Sequence, residues 1–314
     1  MRRLRWLCLL LLGMTLVGKV PCRGESRNQE PNPQVIELQL RLQKLAEPAK
    51  GKVGAAAMVV ETGDIAEVLG SKHFPMQSVY KLPIVMAVLA RTDSGRLKLD
   101  QTIHILPADL VPPTIHSPIR DRNPSGNFEM TVRELARAAI EDSDGSASDV
   151  LLRLVKPRKV RKFLHNIGVK RVKVENTEKE MAVDDKVQYD NWATPLAAVT
   201  LLQKLQAGEG LSPASRALLL SWMTETQTGT KRIRALPPRN AQVAHKTGSS
   251  GTEKGITAAT NDIGLVELPG GKHLAIAVFV SNSPADEDVR EAVIAQIARA
   301  AWDWAARTTS ASTY

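Results

Sequence analysis

Cysteine is nearly absent from this 314-residue chain: there are two, Cys8 and Cys22. Both lie in or beside an N-terminal leader, so no disulfide is expected inside the mature chain, and stability has to come from core burial, which a chain of this length can supply. Aromatic residues make up only 4% of the sequence. None interleave with the basic residues as stacking platforms, which argues against a nucleic-acid partner. The six histidines show no metal-ligand spacing and no His-x-His-x-Asp-His cluster, so neither a metal nor a cofactor is expected. Long apolar runs are also missing after the first one. Met-Arg-Arg-Leu-Arg precedes an apolar Trp6–Gly18 stretch, and a basic start before a short apolar run reads as a secretory signal peptide over 1–24. The expected product is periplasmic or secreted, free of the membrane after processing. Lipidation at Cys22 is disfavoured by Val20-Pro21.

The formal charge is +9, and loss of the leader removes five of those cations, Arg2, Arg3, Arg5, Lys19 and Arg23. The rest of the surplus gathers between Lys156 and Lys173, where Val160, Phe163, Leu164 and Ile167 supply an apolar face. This reads as a solvated basic helix face.

What the chain does have begins at Phe74-Pro-Met-Gln-Ser78-Val-Tyr-Lys81. It holds the only Ser-x-x-Lys in the sequence, followed by Ile84–Leu89, apolar on every side. On a helix, residues three apart share a face, so the Lys81 amine can reach the Ser78 hydroxyl. Serine needs a neighbouring base to act as a nucleophile, and a lysine sunk in apolar surroundings can serve. Pro83 requires that helix to begin close to Ser78, or to kink.

Strand and helix signals surround this stretch. Asn32-Pro33 opens a helix ending near Pro48, and Val53–Val60 with Ile65–Leu69 forms a β-hairpin. Residues 91–130 read as loops and short strands. Capping boxes are expected at Thr131-x-x-Glu134 and Ser146-x-x-Asp149. Thr194-Pro195 and Ser212-Pro213 open two more helices. Strands return at 242–247, 257–268 and 273–281, then a helix over 285–307 and a frayed tail. The expected fold is α/β (α+β): an antiparallel sheet flanked by helices, with an inserted all-helical domain. The boundaries are 25–77 and 226–314 for the sheet domain and 78–225 for the helical one, with the site in the seam.

Three further stretches belong with Ser78: Ser143-Asp144-Gly145 in a turn between helices, Lys246-Thr247-Gly248 at a strand end, and 176–191, which contains Glu178. Ser-x-x-Lys, Ser-Asp-x and Lys-Thr-Gly in this order mark penicillin-recognising serine enzymes. The chain resembles the class A serine β-lactamases over nearly its whole mature length. Gln77-Ser78-Val-Tyr-Lys81, Met181–Tyr189, His245-Lys-Thr-Gly and Thr257–Asp262 are most similar to the branch containing the PER and VEB enzymes. The resemblance implies the β-lactamase/DD-peptidase-like fold and a monomer acting on a small-molecule β-lactam. It implies Ser78 as nucleophile, Lys81 and Ser143 as proton carriers, and Glu178 as activator of the deacylating water. Lys246, Thr247 and Ser249 would receive the substrate carboxylate, with Arg232 in support, and Gly248 and Gly145 would also belong to the substrate-binding set. Glu175 and Glu180 flank Glu178, leaving its assignment the least secured by pattern, and His116 reads as a loop residue.

Two departures stand out. Gly145 replaces the asparagine of Ser-Asp-Asn, and Ala182 replaces a polar residue that helps fix the hydrolytic water. Loss of one such hydrogen bond costs roughly 1–3 kcal/mol in transition-state binding if nothing replaces it. Two rival readings follow: a penicillin-binding receptor that acylates and stalls, and a D-alanyl-D-alanine peptidase. The segment holding Glu178, and the expected lack of an added domain or anchor, argue against the second.

Overall fold

The computed structural model describes residues 32–311 except Asp185 and Arg239. The expected leader, with both cysteines, lies outside the described residues, as do the last three residues of the tail.

Five antiparallel strands form the central sheet, in the order Ile65–Val68, Lys52–Val59, His273–Ser281, Thr260–Glu267 and Val243–Ser249. The pairing registers are regular, with Ala56 opposite Ala277 and Ile263 opposite Lys246. Side chains alternate between two faces, and both faces are covered. One face, with Ala55, Ala57, Ile276 and Val278, packs in the apolar cluster that also holds Leu38, Leu42, Ile297 and Trp304 of the helices Pro33–Ala46 and Glu287–Ala311. The other, with Ala56, Met58, Ala277 and Phe279, packs in the cluster of the helices Lys81–Asp93, Val132–Glu141, Gly145–Val155 and Pro195–Gln206. Burial on both faces explains why Lys52–Val59 and His273–Ser281 read as nearly continuous apolar runs.

The proline in the Ser78 helix is accommodated at its start. A 3₁₀ turn, Gln77–Tyr80, leads into an α-helix at Lys81, which places Pro83 in the first turn, where its missing N–H costs nothing. Lys81 to Leu89 are all buried. The helix Pro157–Asn166 buries Val160 and Leu164 and exposes Arg158, Lys159 and Lys162, the solvated basic face expected.

Two local readings need correction. The capping box at Thr131 and Glu134 forms, but the one expected at Ser146 and Asp149 does not. The helix starts earlier, at Gly145, with Asp144 as its cap, accepting from the Ala147 N–H at 2.8 Å. Asp144 also accepts from Ser117 Oγ and the Ile119 N–H, so this buried carboxylate is saturated at the helix N-terminus, where its charge is favoured. The C-terminal helix runs to Ala311 rather than stopping at Arg307. Trp304 and Ala305 are buried and anchor it, and Thr308 Oγ1 donates back to the Ala305 carbonyl at 2.9 Å. Among the described residues no helix is long and apolar enough to cross a membrane.

Candidate active site

Ser78 sits on the 3₁₀ turn, one residue after Gln77, whose φ of 46° lies in the left-handed region. Such a conformation persists only where the surroundings over-determine it. Here Asn261 Nδ2 donates to the carbonyls of Pro75 and Met76 at 2.8 and 3.1 Å, and Gln77 Nε2 donates to Gln188 Oε1 at 2.6 Å. The strand Val243–Ser249 comes in tightly beside it. A Cβ on Gly248 would fall 2.4 Å from the Met76 carbonyl oxygen and 3.1 Å from the Ser78 nitrogen. Only glycine lets the Lys-Thr-Gly strand lie this close to Ser78.

Lys81 is fully buried, with hydrogen bonds to two acceptors and an ion pair to a third group. Nζ lies 2.9 Å from Ser78 Oγ, 2.6 Å from the Ser143 carbonyl oxygen and 2.9 Å from Glu178 Oε1. Ser143 has φ 56°, another left-handed non-glycine residue, and that twist turns its carbonyl toward Lys81. Its hydroxyl accepts from Lys246 Nζ at 2.9 Å. The two lysines therefore meet Ser143 at different atoms, one at the backbone and one at the side chain.

Lys246 is wholly buried, and its amine is held well below the usual lysine range, first by loss of solvent and then by the charge of Lys81. Thr247 shares a hydrogen bond with Thr228 across 2.8 Å. Arg232, also buried, donates from Nε to Glu291 at 2.9 Å and from Nη2 to Ser249 Oγ at 2.8 Å. The fork geometry of a guanidinium suits this double attachment. Arg232 was expected here only from the family resemblance; its anchor Glu291, on the C-terminal helix, gave no local signal.

The three neighbouring glutamates separate cleanly in space. Glu180 completes the capping box of the short helix Glu178–Met181, accepting from the Thr177 N–H at 2.7 Å. Glu175 pairs with Arg161 on the surface at 2.9 Å. Glu178 alone of the three points to Lys81, and it is buried. Its backbone is fixed by Asp149, whose Oδ1 accepts from the Glu178 N–H at 2.7 Å and Oδ2 from the Lys179 N–H at 3.2 Å. Burial raises the Asp149 carboxyl to about 7 despite those two donors, with the Glu178 charge adding to the rise. Asn191 closes the base of the same segment, accepting from Glu175 and Asn176 N–H groups at 2.7 and 3.0 Å. Neither Asp149 nor Asn191 was singled out from sequence for this task. A polar residue facing a glutamate segment across some 30 or 15 positions leaves no periodic trace.

These groups converge on a cleft of about 750 Å³ lined by Ser78, Lys81, Ser143, Glu178, Thr247, Ser249 and Arg232, with Ile115, His116 and Ala182 at its edges. His116 thus borders the cleft, its Nε2 lying 2.9 Å from the Asp142 carbonyl oxygen. Gly145 does not leave a gap. A Cβ there would meet Ile115 Cγ2 at 2.8 Å and the His116 oxygen at 3.1 Å, so the 115–116 loop fills the space an asparagine would take. Among the described residues no group of three His, Cys, Asp or Glu is placed to hold a metal.

A serine, two buried lysines and a buried glutamate, set on a sheet edge against a helical body, define a serine hydrolase with the class A β-lactamase fold. The chain belongs to the β-lactamase enzyme family, whose model matches residues 37–305. It is 36% identical to β-lactamase VEB-1 of Pseudomonas aeruginosa over 87% of this chain and 92% of that one. It is 40% identical to extended-spectrum β-lactamase PER-1 of the same organism over 76% and 78%. A crystal structure of a β-lactamase from Chitinophaga pinensis superposes with a TM-score of 0.82 at 46% identity, covering 85% of this chain and 98% of that chain.

Proposed function

We propose that the protein hydrolyses the β-lactam amide of penicillins and cephalosporins through an acyl-enzyme on Ser78. The observation that carries this reading is the triple contact of Lys81, whose amine joins Ser78 Oγ to Glu178 Oε1 in one cleft. Lys81 takes the Ser78 proton as it passes one to Glu178, and Oγ attacks the lactam carbonyl. The N–H groups of Ser78 and Ser249 hold the oxyanion, the kind of contribution that is usually largest in such sites. The ring C–N bond then breaks, and its nitrogen takes the proton of the Ser143 hydroxyl, which Lys246 replenishes. Lys246, Thr247, Gly248, Ser249 and Arg232 receive the substrate carboxylate. Glu178 then gives up the proton it gained and Lys246 recovers one, with solvent carrying the exchange. As a carboxylate again, Glu178 draws a proton from water, the hydroxide attacks the ester, and Ser78 leaves with that proton.

The protein acts as a monomer in the periplasm or outside the cell, with the sheet domain, 25–77 and 226–314, and the helical domain, 78–225, as two walls of the cleft. A slow acyl-enzyme is the second reading, favoured by Ala182, a methyl group at the cleft edge beside Glu178. Incubation with a chromogenic cephalosporin, following colour and intact mass together, separates the two. Sustained colour is the expected result, and one equivalent of colour with a persistent adduct would overturn turnover. Ser78→Ala abolishes both signals, and Glu178→Ala accumulates the adduct; release at the parent rate in that variant would refute the role given to Glu178.

A further inference from the structure

Tyr80 stands directly before Lys81 and is wholly buried, one of the largest side chains shielded from solvent. Its hydroxyl is sealed in as well, yet no hydrogen bond closes on it among the described residues. A buried donor left in that state is costly, and a phenylalanine would fill the same space without the penalty. Its surroundings are the proposed deacylation machinery. Glu178 Oε1, 2.9 Å from Lys81 Nζ, is likewise buried without a hydrogen bond, and Asp149 holds the Glu178 backbone. Burial, then the charges of Glu178 and Asp149, push the phenol well above its usual range. A hydroxyl held so firmly protonated can only donate toward a carboxylate.

Glu178 has a gap to fill on its own side. Its backbone is fixed by Asp149 and one oxygen faces Lys81, but residue 182 contributes only a methyl group. When Lys81 passes a proton to Glu178 during acylation, that ion pair is lost for the step, and the Glu178 side chain needs another contact to stay aimed at the ester.

Building on the acyl-enzyme reading above, we propose that Tyr80 is a positioning residue for deacylation: its hydroxyl donates to the Glu178 carboxylate and holds it toward the ester of the acyl-enzyme. It supplies from beneath the glutamate an anchor that Ala182 cannot supply from the cleft side. Tyr80 touches no substrate atom in this role, and acts through Glu178.

The test is Tyr80→Phe in the full-length mature protein, with acylation and release of a chromogenic cephalosporin measured separately by stopped flow and intact mass. Acylation stays within about twofold, and release slows by roughly tenfold or more, the loss of one hydrogen bond to a charged group. The acidic limb of the release profile moves to higher pH, because the carboxylate has lost a donor. Ala182→Asn added to Tyr80→Phe recovers part of the release rate. A purely structural Tyr80 gives the opposite pattern: Tyr80→Phe melts at a higher temperature and releases at the parent rate with an unmoved profile, which overturns the inference alone. If the parent protein forms no Ser78 adduct, the reading of the whole site falls and the inference with it.

Discussion

Restoring the missing asparagine, Gly145→Asn, is expected to harm this protein rather than improve it. The amide in that position has an obvious purpose, to accept from the nucleophile's lysine, but Lys81 already donates to Ser78 Oγ and the Ser143 carbonyl and pairs with the Glu178 carboxylate, all within 2.9 Å. A new amide oxygen must displace one of them. Room is lacking too, since the first side-chain carbon would sit 2.8 Å from Ile115 Cγ2 and 3.1 Å from the His116 oxygen, which itself accepts the Gly145 N–H at 3.0 Å. Ile115 Cγ2 can rotate away, but the backbone oxygen of His116 cannot move without loosening that hydrogen bond. Overpacking of this kind costs about 1–3 kcal/mol. Replacing glycine recovers about 0.4–1 kcal/mol through the unfolded chain. The net is a loss of about 1.3 kcal/mol at mid-range, about 2.6 kcal/mol at most, or a melting temperature lower by roughly 3–5 °C at mid-range. Thermal unfolding and the burst rate of a chromogenic cephalosporin check this, with acylation unchanged or slower. A Gly145→Asn variant that melts no lower and acylates tenfold faster refutes the argument that the Ser143 carbonyl and the 115–116 loop have taken over the amide's place.

Three other variants probe the rest of the site. Gly248→Ala places a methyl group 2.4 Å from a backbone oxygen beside Ser78, and is expected to slow acylation by orders of magnitude while leaving secondary structure by circular dichroism intact. Arg232→Leu removes the fork between Glu291 and Ser249, so KM for a carboxylate-bearing β-lactam rises with a smaller change in kcat; equal losses in both would refute a ground-state binding role. Asp149→Asn tests the buried carboxyl raised to about 7. In the parent the folded state binds the extra proton between the unfolded value near 4 and about 7, so stability is full below that window and falls as pH rises through it, by up to about 1.4 kcal/mol per unit. The variant flattens this slope in denaturant titrations at pH 4 to 7.5, and an unchanged slope places the ionisation elsewhere.

Much of the site was legible because its parts are local. Ser78 and Lys81 are one helical turn apart, Ser143 lies in a turn between two helices, and Lys246-Thr247-Gly248 ends a strand, so spacing alone brings each to an element edge. The sheet was legible for a similar reason: strands covered on both faces, such as Lys52–Val59 and His273–Ser281, are largely apolar. What stayed hidden depends on contacts across the chain. Asp149 reads as half of a capping box, yet the helix starts at Gly145 and frees it to hold Glu178. Tyr80 reads as filler in an apolar run, and only the closed packing around its hydroxyl marks it out. The choice among Glu175, Glu178 and Glu180 became clear only when the surface pair and the cap had claimed the other two.

The two departures from the Ser-Asp-Asn and polar-182 pattern are therefore unequal. At Gly145 the backbone of Ser143, twisted to φ 56°, supplies the acceptor that Lys81 requires, and the neighbouring loop supplies the volume. Lys81 thus keeps two hydrogen bonds and its ion pair with Glu178 without that amide. Nothing equivalent stands in the cleft at Ala182. The support for Glu178 comes from Asp149 on its backbone and, in the role proposed above, from the closed-in Tyr80 hydroxyl. A substitution that loosens this rear support acts on ester release and spares ester formation. That asymmetry is what separate measurement of the two steps reads, and a variant at Asp149 or Tyr80 that slowed both equally would show the support to be general packing.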